Sequence, residues 1–265
     1  MSAVAATDTR EALVEVRGLR SQFGTQIVHE NLDLEVYRGE ILGVVGGSGS
    51  GKSVLLRTIL GLRRPDAGSV KLFGENLHEL SGRRRVDIER RCGVLFQNGA
   101  LFSSLTVSEN VRVPILEHTS LDLRDARRVA ALKIALADLA PEVRQRYPAE
   151  LSGGMVKRAG LARALALDPD IVFLDEPTSG LDPIAAASFD ELIRTLRDAL
   201  GLTVFMITHD LDSLHAICDR VAVLAHKRVI VADSLDKVQS FDDPWVHQYF
   251  QGPRGRAAES IRALA

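Results

Sequence analysis

The amino-acid sequence predicts an α/β fold with a parallel β-sheet at its core, and three observations support this prediction. The segments IVFLD (171–175) and LTVFMITHD (202–210) are largely apolar runs, which are typical of parallel strands buried on both faces. A strand-like segment, EILGVVG, leads directly into glycines and then into a helical pattern. Residues 98–165 change to helical spacing. We therefore expect an α/β core, a small N-terminal antiparallel β lobe and an inserted α-helical subdomain.

The first hundred residues contain mainly strand patterns. Alternating apolar residues in LVEVRGL, QIVHENLDLEV and EILGVVG predict short strands between residues 12 and 46. The segment KSVLLRTILGL (52–62) has apolar residues at helical spacing, and Gly61 and Pro65 mark its end. SVKLFGENL predicts a strand with a turn, and RRCGVLFQ predicts a strand that enters a loop at Gln97.

The rest of the chain is helical first and then alternates between strands and helices. TVSENVRVPIL, RDARRVAALKIALADL and GGMVKRAGLARALAL have Ala and Leu on one helical face and arginines on the other. SFDELIRTLRDAL predicts an amphipathic helix between the two buried strands. VAVLAHKRVIVAD predicts a hairpin with a tight turn at His226 and Lys227. We find no internal repeat and no low-complexity linker.

Composition excludes several classes of protein. The 265 residues are 46% hydrophobic and 26% charged, which is ordinary for a soluble globular protein. A formal net charge of −2 argues against a nucleic-acid partner. Cys92 and Cys218 lack metal-site spacing and indicate reduced thiols. With no signal-peptide pattern and no apolar run of about eighteen residues, we expect a cytoplasmic protein that reaches a membrane only through a partner.

A phosphate-binding loop is the strongest motif in the chain. GGSGSGKS matches the pattern G-x-x-x-x-G-K-[ST] between a predicted strand and a predicted helix, so a simple glycine-rich turn is the weaker interpretation. Its backbone N–H groups suit phosphates, Lys52 supplies a positive charge and Ser53 a hydroxyl for Mg²⁺. The candidate binding residues are Gly46, Gly47, Ser48, Gly49, Ser50, Gly51, Lys52 and Ser53.

Two adjacent carboxylates follow the buried segment IVFLD. Asp175 and Glu176 lie at the predicted carboxyl end of a parallel strand, where α/β sheets bind ligands. Adjacent acidic residues are usually only a solvated strand end, but the apolar run and the phosphate-binding loop favour function. We predict that Asp175 holds Mg²⁺ through water and that Glu176 polarises the water that attacks the γ-phosphate.

Three further side chains are candidates for the same site. His209 lies at the end of LTVFMITHD, at the sheet edge where we also predict the phosphate-binding loop. A γ-phosphate contact is therefore favoured over a helix cap or a core histidine. The amide of Gln97 could reach both Mg²⁺ and the attacking water, although alone it means little. Phe23 either stacks on adenine or belongs to the core of the β lobe.

The segment LSGGM (151–155) predicts a second anion site. Ser152, Gly153 and Gly154 begin a predicted helix, whose free N–H groups and positive dipole end favour an anion. No strand precedes them and no Gly-Lys-Ser follows. This site therefore differs from the phosphate-binding loop, and the loop alone does not explain it.

The ordered motifs resemble those of the ATP-binding-cassette (ABC) ATPases, and the resemblance covers residues 13–240. It includes the phosphate-binding loop, Gln97, LSGG, LDE, SGLD (179–182) and His209. It implies a P-loop NTPase (RecA-like) core that binds ATP and Mg²⁺, the ion being held by Ser53, Gln97 and Asp175. It also implies a head-to-tail homodimer in which each ATP lies between one P-loop and the partner's LSGG. The implied roles are a lid loop for Gln97, general base for Glu176, cross-dimer contact for Asp182 and γ-phosphate sensor for His209.

A narrower resemblance links the chain to the ATPase subunits of the maintenance-of-lipid-asymmetry (Mla) systems. It rests on LFQNGALFSSLTVSENV, LEHT (116–119) and ELSGGMVKRAGLARALALDPD. It implies phospholipid traffic between the inner and outer membranes, with the chain on the cytoplasmic face of the inner membrane. The implied partners are a membrane permease, a periplasmic MCE-domain protein and a small STAS-domain subunit. The alternative is an importer ATPase for another substrate.

Two rival functions and three undecided features remain. One rival is a soluble ABC protein of DNA repair or translation, but such chains usually have long inserts or two cassettes. The other rival is a module that traps ATP without hydrolysing it, but such a module should not keep Lys52, Glu176 and His209. The fifth residue of the LSGG signature in ABC ATPases is usually glutamine, whereas this chain has Met155. Because methionine cannot make the same hydrogen bond across the dimer, we expect this site to be tuned differently. Leu101, Phe102 and Leu105 form either a permease-docking surface or local core. Residues 241–265 form an extension whose Trp245, Tyr249 and Phe250 could pack on a partner.

Overall fold

The computed structural model describes residues 10–250 and Gly252, and in this part of the chain the strands form two sheets. The strands are β1 (Ala12–Phe23), β2 (Gln26–Tyr37), β3 (Ile41–Gly46), β4 (Ala67–Leu72), β5 (Glu75–Asn76), β6 (Cys92–Leu95), β7 (Ile171–Asp175), β8 (Thr203–Ile207), β9 (Arg220–Ala225) and β10 (Arg228–Asp233). The α-helices are α1 (Lys52–Ile59), α2 (Gly82–Glu89), α3 (Val107–His118), α4 (Leu123–Leu136), α5 (Gly153–Ala164), α6 (Pro183–Leu200), α7 (Leu211–Ile217), α8 (Leu235–Gln239) and α9 (Pro244–Phe250). Two short 3₁₀ helices, Pro141–Gln145 and Pro148–Glu150, precede α5.

The core sheet has the strand order β10-β9-β3-β8-β7-β6. Strands β9, β3, β8, β7 and β6 are parallel, and β10 adds an antiparallel edge. Because parallel strands end at one edge, the residues after Gly46, Asp175 and Ile207 lie side by side. The predicted α/β fold with a parallel-sheet core is confirmed.

The second sheet is antiparallel and has the order β2-β1-β4-β5. It confirms the N-terminal β lobe, with one refinement. The third of the opening strand segments, Ile41–Gly46, pairs with β8 and β9 and therefore belongs to the core sheet. The two sheets are also joined directly, since the N–H of Glu30 donates to the carbonyl of Lys227 at 2.9 Å.

Apolar side chains fill the space on both faces of the core sheet. On one face, residues such as Leu42 and Phe173 pack with the β lobe and α1. On the other face, residues such as Val204 and Met206 pack with α5 and α6. Full burial of one such side chain contributes about 1.5–3 kcal/mol, so these layers hold the site edge of the sheet in place.

The helical region between β6 and β7 has a hydrophobic cluster of its own. Helix α3 begins at a capping box formed by Thr106 and Glu109, and it packs with α4 and α5 through side chains such as Ile134. The end of α5 also lies directly on the core sheet. A Cβ atom at Gly93 would lie 2.4 Å from the carbonyl oxygen of Ala164, so only glycine permits this approach.

The C-terminal helix α9 packs on its own chain. Phe250 is 1% exposed and belongs to a cluster that includes Val246, against which Trp245 and Tyr249 also pack. The rings of Trp245 and Tyr249 are stacked with centroids 4.8 Å apart. The proposal that Phe250 is an anchor for a partner is therefore wrong, because burial within the chain already accounts for it. Residues 254–265 of the predicted extension lie outside the described residues.

Across residues 10–250, none of the helices combines the length and the apolar character that a membrane span requires. The predicted helix over residues 52–62 is shorter than expected. Helix α1 ends at Ile59 because Gly61, with φ of 70°, closes it. The N–H of Leu62 then donates back to the carbonyl of Arg57 at 2.9 Å.

Candidate nucleotide-binding site

The glycine-rich loop lies between β3 and α1 and requires glycine at two positions for different reasons. At Gly46 a Cβ atom would lie 2.5 Å from the carbonyl oxygen of Leu224, so the loop passes closely over β9. Gly51 has φ of 100°, and a Cβ there would lie 2.4 Å from Nε2 of His29 in the β lobe. No side chain caps α1, so its first N–H groups face the loop and suit a phosphate.

Lys52 is the first residue of α1 and reaches back across the loop. Its Nζ donates to the carbonyl oxygens of Gly46 at 2.7 Å and Gly47 at 3.2 Å. Burial lowers the pKa of Lys52, whereas the charges of Glu176 and Asp175 oppose that effect. An ammonium held this way is already positioned where the loop would bind phosphate. Ser53 is exposed on the first turn beside it.

The two predicted carboxylates lie at the carboxyl end of β7. Asp175 is partly buried, and burial raises its pKa, while the charges of Arg57, Lys157 and Lys52 oppose that rise. Glu176 has φ of 51°, a conformation that costs a residue other than glycine about 1–3 kcal/mol. The fold maintains it because the N–H of Glu176 donates to the carbonyl of Ile207 on β8 at 2.9 Å.

His209 lies two residues after β8 and contacts Glu176 directly. Its Nδ1 is 2.6 Å from Oε2 of Glu176. Because an ionised carboxylate only accepts hydrogen bonds, Nδ1 carries the proton and donates. The structure thus brings together His209 and Glu176 at the edge that carries the loop, and it excludes a core position for His209, whose side chain is largely exposed.

Gln97 lies just beyond β6, with its side chain exposed and its backbone fixed. Its carbonyl accepts a hydrogen bond from Nζ of Lys157, which also donates to the carbonyl of Glu176 at 2.8 Å. The sequence prediction missed Lys157. The available signal was its place in an apolar stripe, because Lys157, Gly160, Leu161 and Ala164 have the spacing of one helical face and all are buried.

Phe23 ends β1 and is 49% exposed. The interpretation of Phe23 as lobe core is therefore wrong. The guanidinium of Arg63 lies 4.0 Å from the centroid of the ring, which is a cation–π contact on one of its faces. Stacking on adenine stays a prediction.

The LSGGM segment begins α5 and lies beside the SGLD segment of the same chain. Ser152 caps the helix by accepting the N–H of Met155 at 3.3 Å. Leu181 lies within 3.9 Å of the Cβ positions at Gly153 and Gly154. Asp182 caps α6 by accepting the N–H groups of Ile184 and Ala185, each at 3.0 Å.

No hydrogen bond or ion pair of residues 10–250 joins Ser152, Gly153 or Gly154 to the glycine-rich loop. Met155 packs against the hydrophobic cluster of α3, α4 and α5, so its side chain stabilises the helical region.

The residues predicted to hold Mg²⁺ have suitable chemistry. Ser53, Gln97 and Asp175 offer a hydroxyl, an amide and a carboxylate oxygen, and Asp175 lies close enough to Lys52 for their charges to interact. Mg²⁺ is usually bound by one or two carboxylates together with substrate phosphates and water. A single carboxylate and a hydroxyl beside a phosphate-binding loop fit that requirement.

Comparison with known proteins identifies the family. The profile described as ABC transporter matches residues 29–179, which is more than half of the chain. The chain belongs to the ABC transporter family. As an ABC ATPase it binds and hydrolyses ATP.

Relatives of this ABC ATPase carry two different descriptions. It is 37% identical over 241 residues to the probable ribonucleotide transport ATP-binding protein Mkl of Mycobacterium leprae, covering 91% of this chain and 69% of Mkl. It is 37% identical over 240 residues to the intermembrane phospholipid transport system ATP-binding protein MlaF of Haemophilus influenzae, covering 91% and 90%. Identity to MlaF of Escherichia coli K12 is 38% over 240 residues, covering 91% and 89%.

Solved structures confirm the ABC ATPase fold. A dimeric post-hydrolysis state of an ATP-binding cassette with bound ADP and Pi has a TM-score of 0.76 and 29% identity, covering 84% of this chain and 98% of that one. CbiO1 from Clostridium perfringens, part of the transporter complex CbiONQ, has a TM-score of 0.78 and 24% identity, covering 95% and 99%. The similarity to CbiO1 shows a shared fold alone.

Proposed function

We propose that this ABC ATPase drives phospholipid transport between the inner and outer membranes of a bacterium and so maintains outer-membrane lipid asymmetry. One observation carries the proposal: the 37–38% identity to the MlaF proteins extends over 89–90% of their length. Mkl, described as a probable ribonucleotide transport protein, is matched at 37% identity over only 69% of its length. Mkl is nevertheless the reason to keep an importer ATPase for another substrate as the alternative.

The proposed assembly is a homodimer on the cytoplasmic face of the inner membrane. The solved cassette bound to ADP and Pi is dimeric, which supports a homodimer. A head-to-tail arrangement would give Ser152, Gly153 and Gly154 a partner's P-loop, and no hydrogen bond of residues 10–250 joins them to the P-loop of their own chain. A membrane permease would hold the dimer at the membrane. A periplasmic MCE-domain protein and a small STAS-domain subunit would complete the transporter, as in the Mla resemblance.

The proposed site has a defined division of roles. Residues Gly46 to Ser53 bind the phosphates of ATP, Phe23 stacks on adenine, and Asp182 contacts the partner across the dimer. Mg²⁺, when bound to Ser53, Gln97 and Asp175, neutralises charge on the phosphates. Glu176 accepts a proton from the attacking water, and His209 orients that carboxylate and contacts the γ-phosphate. The hydrogen bond of 2.6 Å between His209 and Glu176 supports this pairing.

The proposed domain division follows the same logic. Residues 13–240 form the ABC ATPase domain, with a helical subdomain at about 98–165, and residues 241–265 form a C-terminal extension. The separate hydrophobic cluster of α3, α4 and α5 supports the helical subdomain. Helix α9 packs on a hydrophobic cluster of the same chain, which supports an extension whose first helix contacts its own ATPase domain.

The transport proposal is tested in a strain whose only copy carries Glu176→Gln. Phospholipid should accumulate in the outer leaflet of the outer membrane, measured by labelling amine head groups on intact cells, while uptake of radiolabelled ribonucleotides stays at the parental rate. The control is Glu191→Gln, the same change at an exposed position of α6, which should leave both measurements at the parental level. Normal surface phospholipid together with impaired ribonucleotide uptake would favour the importer instead.

A further inference from the structure

Lys157 is a buried cation in the second turn of α5. It is 5% exposed, and its Nζ donates to the carbonyl oxygens of Gln97 and Glu176, the latter at 2.8 Å. Burial of an ammonium group is costly unless hydrogen bonds replace its hydration. An apolar residue at position 157 would fit the buried face of α5. The lysine differs from such a residue in its two hydrogen bonds to the carbonyls of Gln97 and Glu176.

The two carbonyls belong to loops that leave neighbouring strands. Leu95 at the end of β6 pairs with Leu174 near the end of β7, so Gln97 and Glu176 follow adjacent strands at the same edge. Glu176 is then held on both sides of its backbone. Its N–H is bound to Ile207 and its carbonyl to Lys157, which together maintain the left-handed conformation that turns its carboxylate toward His209.

Arg163 on the same helix offers a direct comparison. Its guanidinium donates to the carbonyls of Ala100 at 2.7 Å and Gly99 at 3.1 Å, both in the loop after β6. Arg163 therefore fixes that loop to α5 without touching the loop after β7. Lys157 differs because it joins α5 to both loops at once.

We propose that Lys157 is a positioning residue that holds Gln97 and Glu176 at a fixed separation and ties both to the helix that begins with LSGGM. The inference rests on the proposed role of Glu176 as general base. When the LSGGM end of α5 docks on a partner, Lys157 carries the position of that helix to the two loops that act on water and Mg²⁺ in its own subunit. Both hydrogen bonds of its Nζ go to backbone carbonyls, so the lysine acts through the two loops.

The test compares Lys157→Met with Arg163→Met in the purified full-length chain. Lys157→Met should lower kcat for ATP by about 10- to 100-fold, the range expected when a catalytic group is displaced by about 1 Å. The dissociation constant of a fluorescent ATP analogue should change less than about threefold, because the P-loop is not touched. Arg163→Met also removes two hydrogen bonds to backbone carbonyls, and it should lower the melting temperature by a similar amount with a smaller loss of kcat.

A second variant keeps the test decisive if Lys157→Met folds poorly. Lys157→Arg retains a charged donor that can reach both carbonyls, and its kcat should be at least tenfold higher than that of Lys157→Met. If Lys157→Met keeps the parental kcat, or if both methionine variants lower kcat equally, Lys157 only stabilises the fold and the inference is wrong.

The Glu176→Gln variant separates this inference from the function it rests on. If Glu176→Gln hydrolyses ATP at the parental rate, the proposed base is wrong whatever Lys157 does. If Glu176→Gln is inactive while Lys157→Met is fully active, the base stands and the positioning role fails. In the double variant, Lys157→Met should cause a much smaller further loss of kcat than it causes in the parental protein, because the Glu176 carboxylate is already gone and only Gln97 is still displaced.

Discussion

Nδ1 of His209 lies 2.6 Å from Oε2 of Glu176, and this hydrogen bond joins the loops that follow two adjacent parallel strands. Both residues leave regular structure just before the contact: β7 ends at Asp175 and β8 ends at Ile207. Because the N–H of Glu176 also donates to the carbonyl of Ile207, the two loops are tied by backbone and by side chain. A change in either side chain therefore alters the position of the other.

The first prediction concerns Glu176→Gln. The amide keeps the size of the side chain but cannot accept the proton of water, so turnover should fall by about 10²–10⁴-fold while ATP still binds. ATP-bound dimers should accumulate and be visible by size-exclusion chromatography. Adding His209→Ala should reduce turnover far less in this variant than in the parental protein, since the pair acts as a unit. Hydrolysis at the parental rate would contradict the role of Glu176.

The second prediction concerns the surface after Gln97. Phe102 is 51% exposed, whereas Leu101 packs against the helical cluster, so the structure supports a docking surface at Phe102 and local core at Leu101. Phe102→Asp should leave the melting temperature of the isolated chain nearly unchanged, because exposed substitutions usually cost less than about 0.5 kcal/mol. Capture of the chain by its permease should weaken at least tenfold.

Leu132→Asp is the matched control for that experiment. Leu132 is 57% exposed on α4, and the change adds the same charge away from the loop after β6. It should not affect capture by the permease. Unfolding of the isolated Phe102→Asp chain in a thermal melt would instead show that Phe102 belongs to the core.

The third prediction concerns the pH dependence of stability. Asp190 is buried on α6, and one oxygen accepts the hydroxyl of Ser213 at 2.7 Å. Burial raises the pKa of Asp190 from 3.8 to about 6, with Asp210 and Asp212 adding to the rise and the Ser213 hydrogen bond opposing it. The folded protein thus binds this proton more tightly than the unfolded chain. The stabilisation is complete below about pH 4 and is lost as the pH rises through about 6.

Asp190→Asn should remove the loss of folding stability that occurs as the pH rises through about 6. At pH 8 the variant should be more stable than the parental protein, by at most about 3 kcal/mol, and its melting temperature should vary less between pH 4 and 7. Asp198→Asn, an exposed position on the same helix, should keep the parental pH dependence. An Asp190→Asn protein whose stability keeps the parental dependence on pH would show that the pKa of Asp190 is not raised in the folded state.

The fourth prediction tests the shared ATP site. Lys52→Ala removes the ammonium from a subunit's own P-loop, and Ser152→Arg places a bulky cation where the partner's γ-phosphate should dock. Each homodimer has two damaged sites and should be nearly inactive. In a mixed dimer the P-loop of the Ser152→Arg chain faces the intact LSGGM of the Lys52→Ala chain, so one site is whole.

The mixed dimer, purified in the full complex with two different tags, should therefore occlude one ATP even if turnover needs both sites. Trapped radiolabelled nucleotide per dimer is the measurement. If the mixed species traps no more than either homodimer, the shared-site arrangement is wrong for this protein. Strong occlusion by the Ser152→Arg homodimer would be equally contradictory, because LSGGM would then lie outside the ATP site.

The sequence predicted where those parts of the candidate site that depend on local backbone geometry would lie. The P-loop glycines, Lys52, Asp175 and Glu176 occupy positions fixed by a strand end or a tight turn, and such positions can be predicted from patterns. The position of Ile41–Gly46 between β8 and β9 could not, because strand pairing is a non-local property.

Three further features could not be predicted from the sequence, for related reasons. Helix α2 has Ile88 as its buried residue and lacks an apolar stripe, so helical spacing gave no signal. The partners of Lys157 lie 60 and 19 residues away in the chain, and only the folded structure shows which carbonyls it meets. Burial of Phe250 likewise depends on where α9 packs.

The contact between Gly93 and Ala164 fixes the last turn of α5 on β6, about 17 Å from the LSGGM end of the helix at 1.5 Å per residue. A tilt of about 10° around Ala164 would displace Gly153 by about 3 Å and Lys157 by about 2 Å. In the proposed dimer, a movement that the partner imposes on LSGGM would therefore reach the loops after β6 and β7 with a smaller amplitude.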